Sequence, residues 1–418
     1  MINIDKSFIP VGWEEKHSMI KVIGVGGGGT NAVNQMYRDG IKDVDFMVCN
    51  TDKQALYKSP VDEKLQLGEK LTEGLGAGCN PEQGRKAALE STDIIKEKLS
   101  RDTKMVFITA GMGGGTGTGA APVIAKVAKD MGILIVGVVT QPFKDEGYEF
   151  LRRAYEGIQE LAKNVDSLLI IDNQKLYEIY GDLTISEAFP KADSVLSTAV
   201  KGIAEIITGS GLINVDFADV KMVMKNSGMA LMGTGIGSGE NRIHDAVEQV
   251  FKSPLLNEYD LKTAKSVLVN ISSNTKKQLK MSEIKQAIDY IQEYTGRASN
   301  FKRGMAFDKN LGEDAIRITV VATGINMIIT PPPVKQENVD KIPLNDNNDD
   351  IGSEGILLYD NNDDSNEVPL NITSSYDSKY TTIYTSDMKI SDLENEAAYT
   401  RRMRTKAQLD KLELEKEK

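Results

Sequence analysis

Residues 110–122, AGMGGGTGTGAAP, place a glycine-rich stretch with two threonines between an apolar run and a helix-like run. Glycine in regular structure costs about 0.5–1 kcal/mol relative to alanine, so a run of glycines indicates a specific requirement. At the carboxyl end of a strand, glycine lets backbone N–H groups approach an anion, and the following helix adds partial positive charge. The stretch therefore predicts a phosphate-binding turn. A mobile linker is the competing interpretation, although linkers rarely join a buried strand to a helix.

Two more glycine turns occur, GVGGGGTN at 24–31 and GLGAGCNP at 74–81. The first lies between an apolar strand-like run and a helical pattern. The second lies directly before a single helix that is predicted over residues 81–100, with Pro81 in its first turn. No G-x-x-x-x-G-K-[ST] sequence is present, so a P-loop is excluded. Phosphates would therefore be held mostly by backbone amides.

The first turn also contains the dinucleotide-binding pattern G-x-G-x-x-G at Gly24, Gly26 and Gly29. Asp45 and Asp52 are the candidates for the ribose-binding acid that this pattern requires further along the chain. A nicotinamide-dinucleotide-dependent oxidoreductase is therefore an alternative hypothesis. Against it, such a site needs one glycine turn rather than three, and no group that would polarise a hydride acceptor stands out.

The segment NVDFAD, residues 214–219, holds two carboxylates three positions apart. At that spacing Asp216 and Asp219 share one face of a helix near its first turn. The residues alone favour a helix cap, because an Asp followed by an acid at this spacing resembles a capping box. A pair of catalytic carboxylates is the alternative.

Composition narrows the class of protein. The 418 residues carry a net charge of −11, which argues against nucleic-acid binding because the phosphate backbone demands basic surface. Two cysteines and two histidines make a disulfide framework or a zinc site improbable. The amino terminus lacks a signal-type apolar core, and the longest apolar run, residues 131–139, is too short to span a bilayer. We expect a cytoplasmic protein with no direct membrane insertion.

Apolar strand-like runs alternate with helical patterns from Met19 to about Gly181. This alternation predicts an α/β fold with a parallel sheet covered on both faces, whose ligands bind at the carboxyl ends of the strands. A long helix is predicted over residues 190–208, with Val195, Ala199 and Ile203 on its apolar face. Strands at 266–273 and 315–325, with a helix between them, predict a second α/β domain.

The predicted organisation has six parts. They are an amino-terminal extension (1–18), a phosphate-binding domain (19–189), a central helix (190–209), a second α/β domain that carries NVDFAD (210–329), a disordered linker (330–391) and a carboxyl-terminal peptide with a charged tail (392–418).

The three turns, their order and the segments between them closely resemble the tubulin-like GTPases, in particular the bacterial cell-division branch of that family. The matching segments include GVGGGGTNAV, NTDKQAL, AGMGGGTGTGAAPV, VVTQPF and GLINVDFADV, and the resemblance runs from about Lys21 to Ile325. It implies a GTPase that polymerises head to tail into the filaments of the division ring, at mid-cell on the inner face of the membrane. A polymer that binds GTP without hydrolysing it is the second alternative.

By resemblance, these turns bind GTP or GDP with Mg²⁺, and K⁺ is an open candidate for a monovalent cation; no metal ligand is assigned with certainty. The implied contacts to the phosphates, the Mg²⁺ ion and the base side are Gly27, Gly28, Asn31, Asn50, Asp52, Gly76, Ala77, Gly78, Gly113, Gly114, Gly115, Thr116 and Gly117.

The resemblance also implies how guanosine is read. Asn173 and Asp193 lie at the family's guanine-reading positions, Phe189 matches an aromatic residue that packs on the base, and Glu146 matches an acid at the ribose. A carboxylate that accepts from both guanine donors is a natural selector against adenine. Without the resemblance, Asp193 reads as an acid that offsets a helix dipole.

In this family the NVDFAD loop enters the nucleotide site of the next subunit. The resemblance therefore assigns catalysis to Asn214, Asp216 and Asp219, whose acids polarise the attacking water and help to hold a cation. A site completed by a neighbouring subunit makes hydrolysis depend on assembly, and heterologous contacts of this kind generate open filaments.

Two departures from the family pattern stand out. Phe150 occupies the position where the family has an arginine near the γ-phosphate, and Arg152 or Arg153 is the candidate to replace it. Residues 392–404, DLENEAAYTRRMR, resemble the family's partner-binding peptide, with Ala397 where proline is common. The implied partners are membrane-tethering and regulatory division proteins.

Overall fold

The continuous apolar runs form strands buried on both faces in the computed structural model, which describes residues 18–99, 102–175, 184–208, 211–213, 215–253, 256 and 260–325. The strands are β1 (Ile20–Val25), β2 (Asp45–Asn50), β3 (Glu63–Gln66), β4 (Met105–Gly111), β5 (Leu134–Gln141), β6 (Ser167–Asp172), β7 (Gly211–Ile213), β8 (Gly228–Gly237), β9 (Ser266–Ser273), β10 (Asn300–Phe307) and β11 (Ile316–Thr323).

The first six strands are parallel and lie in the order β3-β2-β1-β4-β5-β6. The chain winds outward in one direction from β1 to β3 and in the other direction from β4 to β6. The crevice between β1 and β4 is therefore the topological switch point, where ligands bind in open α/β sheets. The parallel sheet is confirmed, and it places the first and third glycine turns at this crevice.

The remaining strands continue the same sheet. β8 pairs parallel with β6 at Ser167–Leu169, and β11 pairs antiparallel with both β8 and β9. β10 runs parallel to β9, and β7 pairs antiparallel with β10 at the edge. Within the described ranges, all eleven strands thus form one mixed sheet.

Helices cover both faces. Alternate strand residues enter separate cores: Val22 and Phe107 pack towards one face, and Ile23 and Ile108 towards the other. The helices are Gly26–Arg38, Lys53–Lys58, Glu69–Thr72, Pro81–Glu90, Thr92–Leu99, Thr116–Asp130, Tyr148–Ala162, Ile185–Thr208, Phe217–Met224, Arg242–Lys252 and Met281–Tyr294. No helix within the described ranges is long and apolar enough to cross a membrane.

Two helix predictions need correction. The central helix begins at Ile185, five residues before the predicted start at 190. The single helix predicted from Pro81 onwards is two helices that break at Ser91. The Ser91 hydroxyl accepts a 3.1 Å hydrogen bond from the Gly68 amide, which holds the break against a neighbouring turn. The predicted linker and the carboxyl-terminal peptide lie outside the described residues.

Candidate nucleotide-binding site

The first and third glycine turns touch each other at the switch point. A Cβ built on Gly26 would lie 2.7 Å from the nitrogen of Gly117, and one built on Gly28 would lie 3.1 Å from the Gly111 Cα. Only glycine allows backbones to approach so closely. The packing brings the starts of helices Gly26–Arg38 and Thr116–Asp130 side by side.

Neither of these helix starts has a side-chain cap or an acidic residue in its first turn. Two neighbouring helices differ: Asp52 accepts from the Gln54 amide at 2.8 Å, and Asn80 accepts from the Glu82 amide at 2.9 Å. An uncapped start leaves N–H donors and partial positive charge available to an anion. Two such starts at one crevice suit a group with several phosphates.

Gly27 and Gly114 stand apart from the other glycines of the described residues. Neither has a left-handed φ, and no protein atom lies within 4 Å of a Cβ built on either. By contrast, a Cβ on Gly29 would lie 2.2 Å from the Thr109 oxygen, and one on Gly119 would lie 1.9 Å from the Pro81 oxygen. The protein's own packing therefore explains Gly29 and Gly119. The open space beside Gly27 and Gly114 fits a ligand.

The third turn has fewer free amides than its glycine count suggests. The Gly113 amide donates to the Thr118 hydroxyl at 2.9 Å, so it is already satisfied. Gly113 has a φ of +106°, a conformation that favours glycine. The amides of Gly114 to Gly117 are then the donors that the turn offers.

The second turn packs against the third. A Cβ on Gly115 would lie 2.8 Å from the Asn80 nitrogen and 2.9 Å from the Ala77 Cβ. Gly76 and Gly78 have φ of +94° and +56° and face open space. The structure thus brings together the three glycine turns, residues 24–31, 74–81 and 110–119, which form one cradle.

Asn50 and Asp52 follow β2 and make local contacts. The Asn50 Oδ1 accepts from the Asp52 amide at 3.2 Å, and Asp52 caps helix Lys53–Lys58. Between them, the Thr51 hydroxyl forms a 2.7 Å hydrogen bond with the hydroxyl of Thr116, the first residue of helix Thr116–Asp130. The sequence analysis did not single out Thr51, because nothing in the segment NTDKQAL indicates that its hydroxyl contacts a distant helix rather than its own turn.

Two of the predicted base-side residues, Glu146 and Asn173, follow the carboxyl ends of β5 and β6 in the chain. The backbone N–H of Asn173 donates to the backbone oxygen of Gln141 at 3.1 Å. The buried side-chain Oδ1 of Asn173 has no hydrogen-bond partner among the described residues. A buried unpaired acceptor calls for a donor, and guanine supplies such donors. Glu146 is exposed, and its Oε1 accepts from the Phe143 amide at 2.8 Å. Asn31 is exposed on helix Gly26–Arg38.

Phe189 and Asp193 lie on the central helix, Ile185–Thr208. Their side chains fall outside what the structure describes, as does Asn214 entirely. The roles assigned to these three residues remain predictions.

Helix Tyr148–Ala162 carries Phe150, which stands where the family has an arginine, and the two candidates to replace that arginine, Arg152 and Arg153. The Phe150 ring lies against the third turn, where a Cβ on Gly113 would be 2.5 Å from its Cδ1. Arg152 pairs with Glu149 at 2.9 Å and Glu156 at 2.7 Å on the outer helix surface. These hydrogen bonds raise the pKa of Arg152. Arg153 instead donates from Nη1 to the Cys79 carbonyl oxygen at 2.9 Å, in the second turn.

The two acids lie away from the glycine turns. Asp216 caps helix Phe217–Met224 by accepting from the Asp219 amide at 2.8 Å, and the Asp219 carboxylate pairs with Lys302 of β10 at 2.5 Å. In the sheet order, five strands separate β10 from β4. The helix of the acids leads to the amino end of β6, where the Ser227 amide donates to the Asp166 oxygen at 2.8 Å, whereas the glycine turns follow the carboxyl ends of β1 and β4. Asp216 therefore caps its helix, as the residues alone favoured. The two acids of one chain and its glycine turns lie at opposite ends of the parallel strands.

Metal ligands are sparse. Among the described residues, no group of three or more His, Cys, Asp or Glu side chains is placed to hold a metal ion. A Mg²⁺ ion needs no such group, because it is commonly held by one or two carboxylates together with phosphate oxygens and water.

Comparisons with known proteins identify the family. The model of the Tubulin/FtsZ family GTPase domain matches residues 19–181, and the model of the FtsZ family C-terminal domain matches residues 228–326. Cell division protein FtsZ of Pseudomonas aeruginosa is 50% identical over 316 residues, which are 75% of this chain and 79% of that protein. The corresponding protein of Buchnera aphidicola from Acyrthosiphon pisum is 50% identical over 312 residues, 74% of this chain and 80% of its own.

Solved structures agree. The FtsZ dimer of M. jannaschii is 41% identical, with a TM-score of 0.69 over 74% of this chain and 89% of that one. CetZ2 from Haloferax volcanii is 21% identical with a TM-score of 0.64, covering 73% of this chain and 93% of its own, and shows the fold alone. The family models define a tubulin-like GTPase. More narrowly, the chain belongs to the FtsZ family of cell-division GTPases.

The oxidoreductase hypothesis is not supported. The strand order β3-β2-β1-β4-β5-β6 is also that of dinucleotide-binding domains, so the fold alone does not exclude it. The family comparisons decide for GTP. Because the family is one of GTPases, a polymer that does not hydrolyse GTP is not supported either.

Proposed function

We propose that GTP binds at the β1–β4 switch point with its phosphates over the open faces of Gly27 and Gly114. The observation that carries this proposal is the pair of uncapped helix starts, each with a glycine that the protein's own packing does not require. The amides of the first turn (Gly27, Gly28) and the third turn (Gly114, Gly115, Thr116, Gly117) donate to phosphate oxygens. Gly76, Ala77 and Gly78 cover the terminal phosphate, and Gly113 shapes the turn.

The base and ribose lie towards β5 and β6. The unpaired Asn173 Oδ1 supports recognition of a guanine donor, with Asp193 as its carboxylate partner and Phe189 packed on the base. Glu146 contacts the ribose, and Asn31 contacts the nucleotide from its helix. Exchanging guanine for adenine would leave the acceptors at positions 173 and 193 without donors.

Asp52, whose Oδ1 is held by the Gln54 and Ala55 amides, is the carboxylate that would hold a Mg²⁺ ion brought in by the phosphates. When bound, that ion neutralises charge on the phosphate oxygens. Asp216 and Asp219 would help to hold a monovalent cation such as K⁺, and the described residues contain no carboxylate cluster that would bind it alone.

Hydrolysis is completed by a second copy of the chain. Asp216 and Asp219 lie on helix Phe217–Met224, which leads to the amino end of β6 at Asp166, whereas the glycine turns lie at the carboxyl ends of the strands. Head-to-tail association would bring the NVDFAD segment of one copy to the cradle of the next, where Asn214 and the two acids orient and polarise the attacking water. The relationship is heterologous, so it extends into a filament. That the M. jannaschii relative is described as a dimer supports self-association.

In the cell, these filaments form the division ring in the cytoplasm, at mid-cell on the inner face of the membrane. Residues 392–404 bind membrane-tethering and regulatory division proteins. The six-part organisation with boundaries at 19, 190, 210, 330 and 392 is part of the same proposal.

The test is the rate of phosphate release per subunit as a function of protein concentration. We expect this rate to rise steeply with concentration in the wild type and to be lost in Asp216→Ala, which still binds GTP. Asp245→Ala is the control, because it likewise removes a carboxylate near the start of a helix, in this case Arg242–Lys252. A rate per subunit that does not change with concentration would contradict assembly-dependent hydrolysis.

A further inference from the structure

The second glycine turn has a strained backbone that requires external support. Gly76 and Gly78 have left-handed φ, and so does Cys79 at +57°, although it carries a side chain. A residue with a side chain is disfavoured in this region because its Cβ crowds the backbone. The turn is anchored on one side, where the Gly76 amide donates to the Thr51 oxygen at 3.3 Å.

Arg153 anchors the other side. Its Nη1 donates to the Cys79 carbonyl oxygen at 2.9 Å, across 74 positions of sequence. This carbonyl belongs to the strained residue itself. A guanidinium donor makes the hydrogen bond charge-assisted, and therefore stronger than one between neutral groups.

The same helix also contacts the third turn. Phe150 and Arg153 are three positions apart, so they share one face of helix Tyr148–Ala162. Phe150 lies against Gly113 while Arg153 reaches Cys79, and a Cβ on Gly157 would lie 2.3 Å from Thr118 Cγ2. One helix face thus holds two turns of the cradle in a fixed relation. Arg152, next in the chain, is paired with Glu149 and Glu156 instead.

We infer that Arg153 is a positioning residue for GTP, which holds the Gly76–Gly78 amides over the terminal phosphate by fixing the Cys79 carbonyl. The inference rests on the proposed phosphate cradle. Preorganised donors are worth more than mobile ones because they are not reordered when the ligand binds. In this chain, the Phe150 ring packs against the third turn, and the Arg153 guanidinium donates to the second turn. Arg153 thus acts through the loop and does not contact the phosphate.

A loop that covers only the terminal phosphate distinguishes GTP from GDP. Arg153→Ala is therefore expected to weaken GTP binding by about tenfold, as for the loss of one charge-assisted hydrogen bond. GDP affinity should stay within about twofold. Arg153→Lys, which can still donate to one carbonyl, should recover part of the GTP affinity. Arg152→Ala is the matched control on the same helix and should behave as the wild type does.

Thiol labelling provides a second readout. Cys79 is exposed, whereas Cys49 is buried and burial raises the pKa of its thiol, so a thiol reagent reports on Cys79. Bound GTP should slow labelling of Cys79 in the wild type, and this protection should shrink in Arg153→Ala but not in Arg152→Ala.

The experiment measures GTP and GDP affinities and Cys79 labelling in the full chain, below the concentration at which it assembles. Equal losses of GTP and GDP affinity in Arg153→Ala, or no loss of either, would overturn the positioning role. Gly114→Glu separates this failure from that of the cradle. If Gly114→Glu abolishes GTP binding while Arg153→Ala leaves it intact, only the inference about Arg153 fails. If Gly114→Glu binds GTP normally, the cradle and the inference that depends on it are both wrong.

Discussion

The Asp219 amide donates a 2.8 Å hydrogen bond to the Asp216 side chain, so the carboxylate proposed for catalysis also caps a helix. Capping and chemistry place different demands on this residue. A cap needs only an acceptor oxygen, whereas polarising a water needs the negative charge. The two roles can therefore be separated by substitution.

We predict that Asp216→Asn keeps the cap and loses the chemistry, because asparagine caps helices about as well as aspartate. The thermal midpoint should stay close to that of the wild type, while GTP turnover falls by about 100-fold or more. Asp216→Ala should lose turnover and also about 1 kcal/mol of stability. Calorimetry and phosphate release measure the two effects. Full turnover in Asp216→Asn would mean that the residue is only a cap.

The open glycines give a second prediction. Gly114→Ala should fold normally, since nothing lies within 4 Å of the new Cβ, yet it should bind GTP at least tenfold more weakly because the methyl group occupies space assigned to phosphate. Gly119→Ala should instead destabilise the fold, because its Cβ would lie 1.9 Å from the Pro81 oxygen. Melting curves and nucleotide titrations distinguish the two. A Gly114→Ala protein with wild-type affinity would argue against the cradle.

A third prediction concerns acid stability. The hydrogen bonds from the buried Arg242 hold the pKa of Glu283 below its usual 4.5. A carboxyl whose pKa is lowered by folding contributes stability above its unfolded pKa, and that contribution is lost as pH falls through the folded pKa. Between about pH 6 and pH 3.5, the wild type should therefore lose more of its thermal midpoint than Glu283→Gln, which cannot titrate. An equal loss in both proteins would show that Glu283 does not drive the acid sensitivity.

An exposed apolar residue beside the cradle tests the assembly surface. Leu75 is 86% exposed, in the turn that carries Gly76, and it pairs with Asp52 through a backbone bridge. Exposed large apolar side chains next to a functional site often mark a contact with a partner. We predict that Leu75→Glu leaves GTP affinity within about twofold but lowers polymer mass and turnover roughly tenfold. The control is Leu89→Glu, the same change at an exposed leucine (48%) at the far end of helix Pro81–Glu90. Unimpaired assembly of Leu75→Glu, measured by sedimentation, would remove this residue from the interface.

Sequence patterns predicted the elements that have strong periodicity. SVLVNISS reads as a strand, and β9 spans those same residues. β3 was missed because its four residues, EKLQ, hold a single apolar side chain. β8, GMALMGTGIG, was missed because its glycines interrupt the apolar pattern of the strand. These glycines have a packing reason: Cβ atoms on Gly235 and Gly237 would lie 2.0 Å from the backbone oxygens of Ala246 and Arg242.

The candidate site was predicted in its local parts, since each glycine turn is a short continuous segment. What sequence reasoning could not supply was the relation between distant segments. The contact between Thr51 and Thr116, the Arg153 bond to Cys79 and the separation of Asp219 from the cradle all depend on strand order and helix packing. Spacing along the chain does not encode these distances.

The central claim is that the cradle of one subunit works with the acids of another, and mixing two defective proteins tests it most directly. Gly114→Glu has intact acids and a blocked cradle, whereas Asp216→Asn has an intact cradle and lacks the charge. Each alone should hydrolyse GTP slowly. In an equimolar mixture, random pairing makes about a quarter of the interfaces complete, so turnover should rise towards about a quarter of the wild-type rate. Turnover of the mixture that stays at the average of the two separate rates would contradict a site shared between subunits.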